Sequence, residues 1–165
     1  MKARTAAPGV LETMQSLWAL SHALEARSKW MLRNLGITGP QRLLLRVIGE
    51  APGCSPGEAA RGLSLNPGTV SRLASGLERS GLVRRAEDRS DGRRQRLILT
   101  RRGESLNRDA RWTVEAAVRA SLQGATAAEI RQACAFVDRL VGELALPRGT
   151  PEPRRSRVAR RRGTP

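Results

Sequence analysis

SPGEAARGLSLNPGTVSRLASGLERSGLVRR, residues 55–85, contains two helix starts in quick succession. Ser55, Pro56 and Glu58 supply a cap, a first-turn proline and a carboxylate that can reach back to the cap amide. The short helix they open runs through Ala59, Ala60 and Leu63. After a tight turn, Asn66-Pro67 repeats the cap-then-proline logic. The second helix has an inner stripe of Val70, Leu73 and Leu77 and stops at Gly81, leaving Gly68, Thr69, Ser71, Arg72 and Ser75 on the outer face. Two short helices joined this way, the second presenting small polar residues, make a helix-turn-helix. Short side chains let such a helix sink into the major groove of DNA. Thr and Ser hydrogen-bond to base edges or phosphates there, and Arg takes guanine as a bidentate pair. The helix start at Asn66 to Thr69 also offers a positive end to a phosphate.

The next stretch, EDRSDGRRQRLILT, residues 87–100, reads as a hairpin. Leu82 to Ala86 is the outgoing strand, Glu87 to Arg93 the turn, and Gln95 to Leu99 the return. The Asp91-Gly92 pair beside a period-two run carries that reading, because glycine tolerates the positive φ of a tight turn. Arg89, Arg93 and Arg94 crowd the tip with Ser90 and Asp91. Like charges so close repel, so the folded chain gains nothing from them alone. A narrow minor groove has an enhanced negative potential and draws arginine in. The hairpin is therefore read as a wing.

Outward from this centre the chain is helical. Apolar residues at helical spacing predict a long first helix from Val10 to Leu35, ended by Gly36. Thr38 and Gln41 form a capping box for a second helix, Pro40 to about Gly49. Thr100-Arg-Arg-Gly-Glu leads into a long helix expected to reach about Gln123. Thr126 with Glu129 caps a last one to about Leu146. Residues 148–165 carry seven arginines against one glutamate, with proline and glycine. That composition cannot bury apolar surface, and a disordered basic tail is expected.

Composition agrees with a nucleic-acid partner. The formal net charge is +15 over 165 residues, and such a charge attracts polyanions. Only Lys2 and Lys29 among the 30 basic residues are lysine, so arginine is inflated and the placement of charge says more than its total. Aromatic residues are 2% of the chain, with no tyrosine. Readers of single strands stack bases on aromatic side chains, so double-stranded DNA is favoured. Cys54 and Cys134 have no CxxC spacing and read as free thiols; Cys134, between alanines on a helix, is expected to pack. With no signal peptide and no apolar run of membrane-spanning length, a cytoplasmic protein without a membrane partner is expected.

Residues from about 37 to 103 resemble the MarR (multiple antibiotic resistance regulator) family of winged helix-turn-helix transcription factors. The residues that carry the resemblance are Thr38 and Gln41, residues 55–85 as quoted, DRSDGRR at the wing and LILTRRG after it. The fold class expected is mainly α with a small β-wing: a winged helix-turn-helix plus a helical dimerisation region. The resemblance implies an N-terminal dimerisation helix (1–36), the DNA-binding lobe (37–103), C-terminal dimerisation helices (104–147) and the basic tail (148–165). It implies a homodimer on a pseudo-palindromic operator, often released by a small anionic or phenolic effector held between dimerisation region and lobe. Arg93 would be the minor-groove residue and Asp91 its partner. Two positions depart from the pattern: Arg42 replaces an aromatic or apolar residue, and Ala59 a common leucine.

The DNA-binding candidates are thus Asn66, Gly68, Thr69, Ser71, Arg72 and Ser75 on the helix, with Arg89, Ser90, Asp91, Arg93 and Arg94 on the wing. Trp18, His22, Trp30 and Arg42 are candidates to line an effector site. His22 reads more simply as a packed or hydrogen-bonded structural residue, and the tryptophans as core or interface. One histidine and two distant cysteines supply no usual zinc set, and no phosphate loop or dinucleotide fingerprint is present. Neither catalysis, a metal nor a cofactor is expected. The alternative to a sequence-specific repressor is an architectural protein that coats DNA with little regard to sequence, its tail acting on phosphates. Arg93→Ala is expected to weaken specific duplex binding markedly in a titration against the preferred DNA. Unchanged affinity would remove Arg93 from the contact.

Overall fold

The computed structural model describes residues 9–87 and 95–145. In chain order these form α1 (Val10–Leu35), α2 (Gly39–Glu50), α3 (Pro56–Gly62), α4 (Pro67–Arg79), β1 (Val83–Glu87), β2 (Gln95–Leu99), α5 (Arg101–Arg108), α6 (Val114–Ser121) and α7 (Ala127–Leu144). The chain divides after Ser121 into two compact units, so α5 and α6 go with the first and α7 belongs to the second. The wing tip and the tail fall outside the described residues, as does the last part of the expected final helix.

Local chemistry accounts for the helix starts. Thr38, Ser55 and Thr126 each accept the amide three residues on, from Gln41, Glu58 and Glu129, and each of those side chains accepts the cap amide in return. Asn66 Oδ1 accepts the Gly68 amide at 2.8 Å to start α4. Gly81, at φ 67, lets the chain turn from α4 into β1 with little strain.

The core of the first unit lies between α2, α3, α4 and the two strands. Leu44, Leu45, Ile48, Ala59, Ala60, Val70, Ala74, Leu77, Leu82, Val83 and Leu97 are buried in it together. β1 and β2 pair antiparallel from Val83↔Leu99 to Glu87↔Gln95. The outgoing strand begins one residue later than expected, because Leu82 turns its carbonyl to the Thr100 amide at 3.0 Å instead. β2 has a second neighbour that the sequence pattern did not reveal. The Leu97 amide donates to the Cys54 carbonyl at 2.9 Å, and the Gly53 amide donates to the Leu97 carbonyl at 3.0 Å. The turn after α2 is thereby stitched to the wing.

The expected long helix after Thr100 is two helices. Asp109 leaves helical geometry with ψ 102, and its carboxylate accepts from the Arg111 amide and guanidinium at 3.0 and 2.9 Å. Hydrogen bonds from the Arg111 side chain and then its amide hold the Asp109 carboxyl down to about 2. Trp112 takes φ 61, and the Thr113 hydroxyl accepts the Ala116 amide at 3.2 Å. An aspartate whose carboxylate accepts the amide two residues on offers the backbone a turn in place of continued helix, and it is less conspicuous in a sequence than proline.

The Thr100-Arg-Arg-Gly103 motif fixes the wing to α5. Thr100 Oγ1 donates to the Gly81 carbonyl at 2.7 Å and accepts the Gly103 amide at 3.1 Å. Arg102 donates to the Ser80 carbonyl at 3.2 Å. A Cβ on Gly103 would overlap the Leu82 carbonyl oxygen, itself bonded to Thr100. Gly103→Ala should therefore cost about 1–3 kcal/mol of stability by urea denaturation. Gly62→Ala, which meets nothing within 4 Å, should stay within about 0.5 kcal/mol of wild type.

Candidate nucleic-acid interface

α4 is held by its inner face and free on its outer one. Val70, Ala74, Gly76 and Leu77 are buried, and Leu73 is half-buried. Gly68, Ser71 and Arg72 are exposed, with Thr69 half-buried between them. Arg72 Nη2 lies 3.4 Å from Thr69 Oγ1, so the guanidinium leans along the helix toward its positive end. Asn66 is exposed with its Oδ1 spent on the cap. Gly76 matters from behind: a Cβ there would overlap the Gln41 amide nitrogen, so the glycine lets the α2 cap pack under α4.

Ser75 differs from its neighbours on the outer face. It is half-buried, and its hydroxyl accepts from Arg85 Nη2 at 3.1 Å. Arg85, on β1, was not among the residues singled out from sequence; its role emerges only when the strand is seen beside α4. Arg89, Ser90, Asp91, Arg93 and Arg94 lie outside the described residues, whereas the wing strands that carry them onward are in place.

The residues considered for an effector site are not gathered into one place. Trp18 and Trp30 are twelve positions apart on α1, about 18 Å along its axis. Trp18 and His22 are exposed, so of the two simpler readings of His22, packed or hydrogen-bonded, the packed one does not hold. Cys134 is likewise exposed, not packed, while Cys54 is buried. Burial first, then the charge of Glu58, pushes the Cys54 thiol above its ordinary value. Trp30 instead meets Trp112 from the α5–α6 turn, ring centroids 6.3 Å apart and planes inclined at 45°.

Arg42 is the clearest departure from the expected roles. It is 2% exposed, and its guanidinium donates to the carbonyls of Leu106 and Asn107, at 2.5 and 3.0 Å, and to Glu115 at 3.0 Å. It thus closes the C-terminal end of α5 and ties α2 to α6, which spends these donors within the protein. Glu115 also receives Arg46 at 3.5 Å and Arg119 at 3.2 Å. The sequence clue was an arginine inside an otherwise apolar helix face, which needs a counterion somewhere; spacing could not say where.

Among the described residues no cluster of His, Cys, Asp or Glu could hold a metal ion, and no helix is long and apolar enough to cross a membrane. Capped helix pair, outward polar helix and paired strands together define a winged helix-turn-helix. The chain belongs to the MarR family of transcription regulators, a family that is not one of enzymes. The MarR family pattern matches residues 35–94. The HTH-type transcriptional repressor Rv2887 of Mycobacterium tuberculosis is 32% identical over 124 residues, 75% of this chain and 89% of that protein. The HTH-type transcriptional regulator TtmR of Methylorubrum extorquens is 38% identical over 91 residues, and the chain spans only 47% of its length. Among solved structures, a Staphylococcus aureus MepR–DNA complex superposes with a TM-score of 0.64 at 23% identity, covering 79% of this chain and 96% of that one. Streptomyces coelicolor PcaV in complex with its natural ligand also gives 0.64 at 23% identity, covering 86% and 98%. At these identities the structures show the shared fold.

The Glu115 cluster has a pH signature. Burial pushes its carboxyl up, but the hydrogen bond from Arg42 and the charges of Arg46 and Arg42 outweigh that and leave it below its ordinary 4.5. A carboxylate depressed in the folded state contributes stability that is present above its unfolded value and lost as pH falls through the folded one. Wild type should therefore weaken below about pH 4.5, and Glu115→Gln should be less stable at neutral pH with a shallower acid decline. Arg42→Ala, which leaves the Leu106 and Asn107 carbonyls without their donor while Arg46 and Arg119 still face Glu115, should cost about 1–3 kcal/mol. Thermal melts across pH check both.

Proposed function

We propose that the chain is a homodimeric, sequence-specific regulator of transcription that binds double-stranded DNA at a pseudo-palindromic operator and acts as a repressor. The observation that carries this reading is α4, whose apolar side is locked into the core while Gly68, Ser71 and Arg72 stand exposed beside a paired wing. A helix fixed on one side and polar on the other is suited to enter a major groove as a rigid body. Asn66, Gly68, Thr69, Ser71 and Arg72 form the helix contact. Arg93 enters the minor groove, with Asp91 orienting it and Arg89, Ser90 and Arg94 on the flanking backbone. The DNA-bound MepR structure supports this docking through its shared fold.

The dimer is supported by apolar residues left exposed on each terminal helix: Leu11, Met14 and Trp18 on α1, and Val137, Val141 and Leu144 on α7. Release by a small anionic or phenolic effector rests on the family and on the ligand-bound PcaV structure. Arg42 spends its terminal nitrogens on α5 and α6 and takes no part in it. The tail at 148–165 adds affinity without reading bases.

Selection of duplexes from a random pool, at salt high enough to suppress phosphate-only binding, tests the proposal. Enrichment of a two-fold related motif supports a dimeric regulator; binding that fades with salt and enriches nothing supports an architectural DNA-coating protein. On the selected motif, Arg72→Ala should relax preference at one position of each half-site by about 1–3 kcal/mol. Identical base preferences in mutant and wild type would remove Arg72 from base reading.

A further inference from the structure

Arg85 occupies the corner where the helix that would read the major groove meets the hairpin that would reach the minor one. Its Nε donates to Glu78 Oε2 at 3.1 Å, its Nη2 to Ser75 Oγ at 3.1 Å and its Nη1 to Gln95 Oε1 at 2.7 Å. Two partners are on α4, and the third is on β2 at the end of the described ladder, paired with Glu87 just before the wing tip. The side chain is 23% exposed, so these bonds are partly shielded from water.

We propose that Arg85 is a positioning residue that sets the rotation of the recognition helix against the wing, and through it the protein's choice of DNA sequence. The inference rests on the DNA-binding reading above. Ser75 lies three residues beyond Arg72 on the same face of α4, so a bond that holds Ser75 also fixes the direction in which Arg72 projects. Gln95 begins the return strand, so a bond there fixes the base of the wing. A guanidinium is a rigid planar fork whose donors point in fixed directions, and three partners at three of its nitrogens define an orientation. An ammonium on a flexible stem cannot span all three. Arg85 also covers Glu78, whose carboxylate would otherwise face the phosphate backbone uncompensated from the C-terminal half of α4.

The test compares a duplex carrying the selected motif with the same duplex scrambled. Two variants are used: Arg85→Lys, and the double variant Arg85→Gln with Glu78→Gln, which removes the ion pair while leaving net charge unchanged. In both, scrambled-duplex affinity and its salt dependence should stay at wild-type values while preference for the motif falls about tenfold. Combining Ser75→Ala with the double variant should add nothing further, because Ser75 acts through Arg85. Full motif preference in Arg85→Lys, whether or not the double variant folds, overturns the proposal. So does a salt slope lower by about one at unchanged preference, the sign of a direct phosphate contact. A wild-type protein that selects no motif fails at the earlier step; the regulator reading then falls and takes this inference with it.

Discussion

Leu97 is the point at which the DNA-binding lobe is tied together. Its side chain is fully buried in the core, and its backbone amide and carbonyl both turn toward the segment after α2, bonding Cys54 and Gly53. Its neighbours in β2 then face β1, because backbone groups alternate sides along a strand. One residue thereby joins α2, the wing and the core, and leaves no buried backbone group of its own unpaired. The rest follows from that position. β1 is placed by β2, α4 is placed by its buried stripe and by Arg85 reaching from β1, and α5 starts where Thr100 and Gly103 close over Leu82. The exposed face of α4 is a consequence of this order of attachment, since its buried stripe holds the opposite side.

Local chemistry was legible in the sequence to the extent that it was short-ranged. The capping boxes at Thr38, Ser55 and Thr126 appear in the structure as donors and acceptors three residues apart, the range a sequence pattern can carry. The buried stripe of α4 and the two strands were legible for the same reason, since periodicity reports a face. What was missed depended on partners far along the chain. Arg42 meets Glu115 across 73 positions, and nothing in either segment names the other. Arg85 looked like one more arginine in a basic hairpin, although its partners lie within ten positions, because reading it required the angle between α4 and β1. The break at Asp109 was hidden by a residue type that is helix-compatible until its carboxylate finds a backbone amide.

These placements divide the arginines into two populations. Arg42 and Arg85 face inward or sideways, closing a helix end and crossing between elements. Arg72 and Arg84 stand exposed. In a chain nearly devoid of lysine, arginine serves both as internal crosslink and as external charge, and only the second kind bears on a polyanion. The planar fork suits the first use and the permanent charge suits the second.

The outer edge of β1 has a bearing on solubility. Among the described residues, the sheet has β2 on one side of β1 and no strand on the other. An unpaired strand edge is a template on which another molecule can add a strand and begin to aggregate. Here the edge is five residues long and carries consecutive arginines at its centre, Arg84 exposed and Arg85 braced against α4. A second copy approaching in register would bring its own arginines against these, with little apolar surface to offset the repulsion. The charge that suits this lobe to a polyanion would also discourage it from polymerising through its own wing.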